Sequence, residues 1–206
     1  MLHTADQVLA EDVPWPDLRR FWRARIERFA PWFIAGEAAR RDAGHALGLE
    51  IRGEMDIDLP AGPFRIVAKA DRIDRLADGR YTIIDYKTGV LPTGTDIEQG
   101  ISPQLPLEAV IAGSGGFSGI AANPVASLAY WKLSGGRKPA EIRQLQGDAM
   151  AAAEKARDGL VRLIAEFDNP GTPYRDRPRP AAAPKFSDYD HLSRVKEWSA
   201  GGPGDW

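Results

Sequence analysis

Ala68-Lys-Ala-Asp-Arg-Ile-Asp-Arg-Leu-Ala-Asp-Gly-Arg-Tyr-Thr-Ile-Ile-Asp-Tyr-Lys-Thr88 is the stretch on which the reading of this 206-residue chain turns. Two short apolar runs flank Asp78-Gly79, a dipeptide that tolerates the positive φ of a tight hairpin loop. On the returning strand, Asp85 and Lys87 are two residues apart, so the strand period points both to one face and turns Ile84 and Tyr86 to the other. Asp71, on the outgoing strand, falls near the level of Asp85. Two carboxylates and one ammonium are thus predicted to converge. Asp and Lys at this spacing also occur as a solvated polar face, but Asp85 follows Ile83 and Ile84 and so interrupts an apolar strand. A buried carboxylate requires a partner or a metal.

Such a trio suits phosphodiester cleavage. Carboxylate oxygens are the hard ligands that Mg²⁺ prefers, and this ion keeps several waters while binding through one or two carboxylates and substrate phosphate. Lys87 beside that site is a compact cation able to orient a water and face the charge that develops on phosphorus.

Three segments in order, Ala70 to Asp74, Ile83 to Gly89 and Pro103 to Ala109, carry a resemblance to the PD-(D/E)XK nuclease superfamily. Within its RecB-like branch they are similar to the C-terminal nuclease domain of the AddB family of bacterial helicase–nuclease subunits. Tyr189 to Leu192 and Val195 to Trp198 resemble the end of such a chain. The resemblance implies a restriction-endonuclease-like α/β core and a Mg²⁺-dependent DNA exonuclease acting in double-strand break repair, with Mn²⁺ able to substitute and an AddA-like helicase subunit as partner. It implies Asp71, Asp85, Lys87 and Gln104 as catalytic residues. Asp71, Asp85 and the backbone carbonyl of Tyr86 are the implied metal ligands, with Glu37 a further candidate. The family places Tyr four residues after the Gln; here Glu108 stands there, and its role is open. The family's upstream His has no convincing counterpart among His3, His45 and His191. These departures keep a second reading alive, a catalytically weak nuclease-like domain that binds DNA and docks a helicase.

Composition narrows the choices. A hydrophobic share of 43% with 27% charged residues fits an ordinary globular protein. The length predicts one domain over residues 1–206, with N-terminal helices to residue 47, a core over 48–168 and an extended tail over 169–206. No run approaches the ~18 apolar residues that span a bilayer, and no signal-peptide core is present, so no membrane and a cytoplasmic location are expected. The chain has no cysteine, which excludes the iron–sulfur cluster that some AddB relatives hold. A formal charge of −2 gives no bulk attraction to nucleic acid. Local clusters exist at Arg19, Arg20, Arg23, Arg25 and Arg28, and at Arg175, Arg177, Arg179 and Lys185; either could follow a phosphate backbone or be a solvated face.

Periodicity predicts the remaining elements. Residues 1–13 read as a partial helix. Leu18, Phe21, Trp22, Ile26, Phe29 and Phe33 mark an amphipathic helix that Pro31 should kink or divide. Glu50 to Leu59 alternates as a half-exposed strand, and with the hairpin it makes an antiparallel three-strand meander. Gly89 to Gly100 reads as a loop. Ser102-Pro103 reads as the cap and first residue of a helix ending at Gly113, on which Gln104 and Glu108 share a face. Strands follow over Val125 to Leu133 and around Ile142, and a helix over Asp148 to Phe167. The sum is a mixed sheet flanked by helices.

Overall fold

In the computed structural model, which describes residues 1–175 and Leu192, the hairpin forms as the sequence indicates. Strand β2 (Phe64–Leu76) pairs antiparallel with β3 (Tyr81–Lys87), Ile73 opposite Ile83. The turn closes through Leu76 N–H to Arg80 O at 2.8 Å, and Gly79 takes φ 89°, the left-handed region that a Cβ disfavours. Strand β1 (Gly44–Ile57) pairs antiparallel on the outer side of β2 and completes the meander. Beyond β3 the chain crosses over and returns as β4 (Val125–Leu133), parallel to β3, with β5 (Ala140–Gln144) antiparallel at the far edge. The five-stranded mixed sheet has the order β1-β2-β3-β4-β5.

Helices cover both faces, because β3 is apolar on each side. Ile83 and Tyr81 face a core built with Leu105, Ala109 and Ile111 of the crossover helix α4 (Gln104–Ser114), where Leu128 and Tyr130 of β4 also pack. Ala149 and Ala153 of α5 (Ala149–Phe167) join this layer. On the opposite face, Ile84, Ala129 and Trp131 meet Trp32 and Phe33 of α2 (Pro16–Ala43). Helix α1 (Leu2–Asp12) precedes α2, and a short α3 (Gly94–Glu98) lies between β3 and α4. The chain divides into two compact units, Met1–Ala165, which holds the whole sheet, and Glu166–Trp206. In the second, the described residues include a ring contact between Phe167 and Tyr174 at 4.8 Å.

Several boundaries differ from expectation. Helix α2 runs through Pro31 undivided; Pro31 is exposed, and the apolar stripe on either side packs onto one sheet face, which outweighs a lost hydrogen bond. Ser102 does not cap α4, since the N–H groups of Ile101 and Ser102 both turn back to Asp96 O, and Pro103 takes the cap position without a side-chain bond. The helix continues past Gly113 and stops at Gly115, where φ is 76°. The expected loop over Gly89 to Gly100 contains α3, started by a reciprocal Thr93–Asp96 capping box. Strand β1 begins at Gly44, earlier than the expected core boundary. Of the tail, the motifs at 189–198 save Leu192, and three of the four basic residues there, lie outside the described residues.

Candidate active site

The hairpin does more than pair: β2 changes face in passing Asp71. Ala70 and Ile73 are both fully buried in the α4-side core, although residues three apart on a regular strand point oppositely. The break coincides with the end of β2–β3 pairing at Arg72–Ile84 and with Glu50 across the ladder at φ 52°. Asp71 is thereby released from the ladder, and its Oδ2 accepts the Tyr86 backbone N–H at 2.7 Å. One carboxylate is fixed to the strand that carries the other.

Asp85 is 1% exposed. The Lys87 ammonium donates to its Oδ1 at 2.9 Å and lies 2.8 Å from Oδ2. From α4, Gln104 Nε2 donates to the same Oδ1 at 2.8 Å, while Gln104 Oε1 accepts from Lys87 at 3.2 Å. The second amide proton of Gln104 serves Glu108 Oε1 at 3.1 Å, one helical turn on. Glu108, 2% exposed, is held to the sheet face by the burial of its neighbours Leu105, Ala109 and Ile111.

Burial dominates the electrostatics. Desolvation pushes the Asp85 carboxyl above the usual carboxylate range against the pull of Lys87, and Asp71 adds to the rise. The same cause pushes Glu108 up to about 7, opposed by the Gln104 hydrogen bond and reinforced by Asp85 and Asp71. Tyr130, opposite Asp85 on β4, is pushed up by burial and by Asp85 and Glu108. Glu108 Oε2 and the Tyr130 hydroxyl are buried without a hydrogen-bond partner, and Asp85 Oδ2 has only the ion-pair contact with Lys87.

Of the sequence-predicted residues, the structure thus joins Asp85, Lys87 and Gln104 directly and ties Asp71 to the backbone of Tyr86. It does not bring in Glu37. That carboxylate is taken by Arg72 at 2.9 Å and by Arg40, in a network where Arg72 also holds Asp74 at 2.5 Å. Glu108 occupies the buried position instead, and Tyr130 is a site neighbour that sequence reasoning treated only as part of a strand. The signal for Tyr130 was its even spacing with Leu128, which puts its hydroxyl on the Asp85 face. Among the described residues no three His, Asp or Glu side chains gather closely enough to hold an ion. The oxygens that could hold an ion here are the Asp71 and Asp85 carboxylates and the Tyr86 carbonyl, all hard donors. Asp85 Oδ2, buried with the Lys87 ammonium 2.8 Å away and no hydrogen bond of good geometry, has room to serve a divalent cation that keeps most of its waters.

The arginine cluster of α2 is largely engaged. Arg23 pairs with Asp6 and Glu27, Arg20 with Asp17, Arg28 donates to Gly135 O at 3.0 Å, and Arg25 stacks 4.5 Å over Phe21. His3 and His45 are exposed, and His191 lies outside the described residues.

Comparison with known proteins matches residues 2–181 to a family described as the PD-(D/E)XK nuclease superfamily. An uncharacterised protein of Rickettsia bellii is 26% identical over 205 residues, covering 93% of this chain and 24% of its own length. An uncharacterised protein of Rickettsia typhi is 34% identical over 100 residues, 48% of this chain and 12% of its own. The chain therefore spans a quarter or less of these relatives. Among solved structures, the crystal structure of SSO0001 aligns with a TM-score of 0.35 at 13% identity, covering 62% of this chain and 53% of that one.

Proposed function

Because the chain belongs to the PD-(D/E)XK nuclease superfamily and has its restriction-endonuclease-like α/β fold, we propose that it hydrolyses phosphodiester bonds of DNA with Mg²⁺, Mn²⁺ substituting. The observation that carries this is the Lys87 ammonium held against the buried Asp85 carboxylate, with Asp71 anchored beside them. Asp71, Asp85 and the Tyr86 carbonyl would hold the ion, which supplies a water of lowered pKa and offsets charge on the phosphate. Lys87 orients the attacking water and faces the negative charge that grows on the phosphoryl oxygens. Gln104, bonded to both, keeps the ammonium and the carboxylate at a fixed spacing. Within the superfamily, the motifs at 70–74, 83–89 and 103–109 support an AddB-like exonuclease that works in double-strand break repair beside a helicase subunit in the cytoplasm. No helix of the described residues is long and apolar enough to cross a membrane.

A second reading, a nuclease-like docking module, is favoured by one observation: among the described residues no third acidic or histidine side chain closes with Asp71 and Asp85 into a group able to hold an ion. One experiment separates the two. Labelled single-stranded and duplex oligonucleotides incubated with the purified protein in Mg²⁺ or Mn²⁺ should be cut, and Lys87→Ala should lower kcat by about 10²–10³-fold, the usual worth of a charge-stabilising donor. Equal cleavage by both proteins would defeat the nuclease reading at this site, and binding without cleavage would establish the module.

A further inference from the structure

Gln104 is the first residue of α4, exposed as a residue, with three side-chain torsions to immobilise. Ordering such a side chain costs rotamer freedom, and a lone contact at a helix terminus does not recover that. Three contacts hold it here, and their chemistry is complementary in only one orientation. Carboxylates accept and never donate when ionised, and an ammonium donates and never accepts. The ammonium therefore takes the amide oxygen, which leaves the amide nitrogen to face Asp85 and Glu108. Glu108 is as deep as Asp85 and deeper than Lys87, and it alone of the three shares a helix with Gln104, at the four-residue spacing. It is the fixed point from which the amide is aimed.

We propose that Glu108 is a positioning residue: by binding one amide proton of Gln104 it aims that side chain at Asp85 and Lys87, and so sets where the ammonium stands. The role of Glu108 in turnover rests on the nuclease reading; its hold on the amide does not. An apolar residue of the same size at 108 would leave a Gln104 N–H against a dry wall, and the long side chain would swing out to water instead. Glutamine at 108 still presents an acceptor oxygen to that N–H.

The test uses two variants of the whole chain, Glu108→Leu and Glu108→Gln, with ¹⁵N-labelled glutamine. In wild type the Gln104 side-chain amide should exchange its protons slowly and show two distinct, shifted proton resonances. Glu108→Gln should keep this signature, and Glu108→Leu should lose it, the resonances collapsing to those of a solvated amide. Turnover should follow: kcat within about threefold of wild type for Glu108→Gln and about 10–100-fold down for Glu108→Leu, with KM changed little, the pattern of an interaction realised in the transition state. Should Glu108→Leu not fold, Glu108→Met carries the same comparison. A protected Gln104 amide in the apolar variant, or an apolar variant with full kcat, would overturn the proposal. If wild type cuts nothing, the nuclease reading fails while the amide resonances still decide whether Glu108 holds Gln104.

Discussion

At the scale of the residue, Glu108 and Asp85 are both almost wholly buried carboxyls raised by desolvation, and that has a measurable sign. A carboxyl raised in the folded state binds its proton more tightly there than in the unfolded chain. The associated stability is full below the unfolded value of 4.5 and is lost as pH rises through about 7. For Glu108 the loss amounts to about 3 kcal/mol. Melting temperatures in chelator should therefore fall for wild type between pH 5 and 7.5, and Glu108→Gln should flatten much of that fall. The remainder belongs to Asp85, whose shift has the same sign. A wild-type profile that rises over this window would contradict the burial described for Glu108. The strand period and the hairpin made Asp71, Asp85 and Lys87 legible in the sequence, because they place side chains without knowledge of their neighbours, whereas Gln104 was reached through the family resemblance. Sequence alone could not make Glu108 or Glu37 legible. Both are Glu on amphipathic helices, and what separates them is which face of the sheet each helix covers.

The elements explain that separation. Helix α2 covers the Ile84 face and spends Glu37, with Arg40, on Arg72 and Asp74, which the face change at Asp71 turns toward it. Arg40 also stacks 4.0 Å over the Trp131 ring, joining the ion network to the aromatic layer of Trp32 and Phe33. The network sits beneath Tyr86, whose N–H holds Asp71, so α2 supports the strand from behind rather than supplying an oxygen to the site. Arg72 is 8% exposed. Replacing it by Leu leaves Glu37 and Asp74 with only Arg40, and breaking a buried pair from one side costs about 3–5 kcal/mol. Urea denaturation of Arg72→Leu should lose about 3 kcal/mol, and a loss under about 1 kcal/mol would mean the network is not a structural support. The same context explains why Pro31 misleads a reader of the sequence: helix propensity is a weak prior when an aromatic stripe fixes both halves to one sheet. The Thr93–Asp96 box was visible in the sequence, by contrast, though its Asp stands where Glu or Gln is usual.

At the scale of the molecule, charge matters most for DNA. The formal charge is −2, and all five arginines in the α2 cluster are bound to acidic side chains, a carbonyl or a ring within the protein. Few phosphates can be neutralised, so little counterion is released on binding. Fluorescence anisotropy with a duplex in Ca²⁺ should give weak affinity, with Kd no tighter than about 10⁻⁶ M at physiological salt. Tight binding would show that a cationic surface outside the described α2 cluster does the work. The chain spans a quarter or less of its Rickettsia relatives, and delivery of the strand by a larger assembly accords with weak binding alone. Finally, the parallel pairing of β3 with β4 divides the site between near and distant parts of the chain. Asp71 and Asp85 meet across a hairpin closed by four residues, 77–80, whereas the crossover from Lys87 to Val125 must carry α4 onto the sheet before Gln104 and Glu108 arrive. Closing that longer loop costs roughly 2 kcal/mol more in chain entropy. Chain entropy thus favours bringing the two carboxylates together ahead of the amide that bonds Asp85 and Lys87.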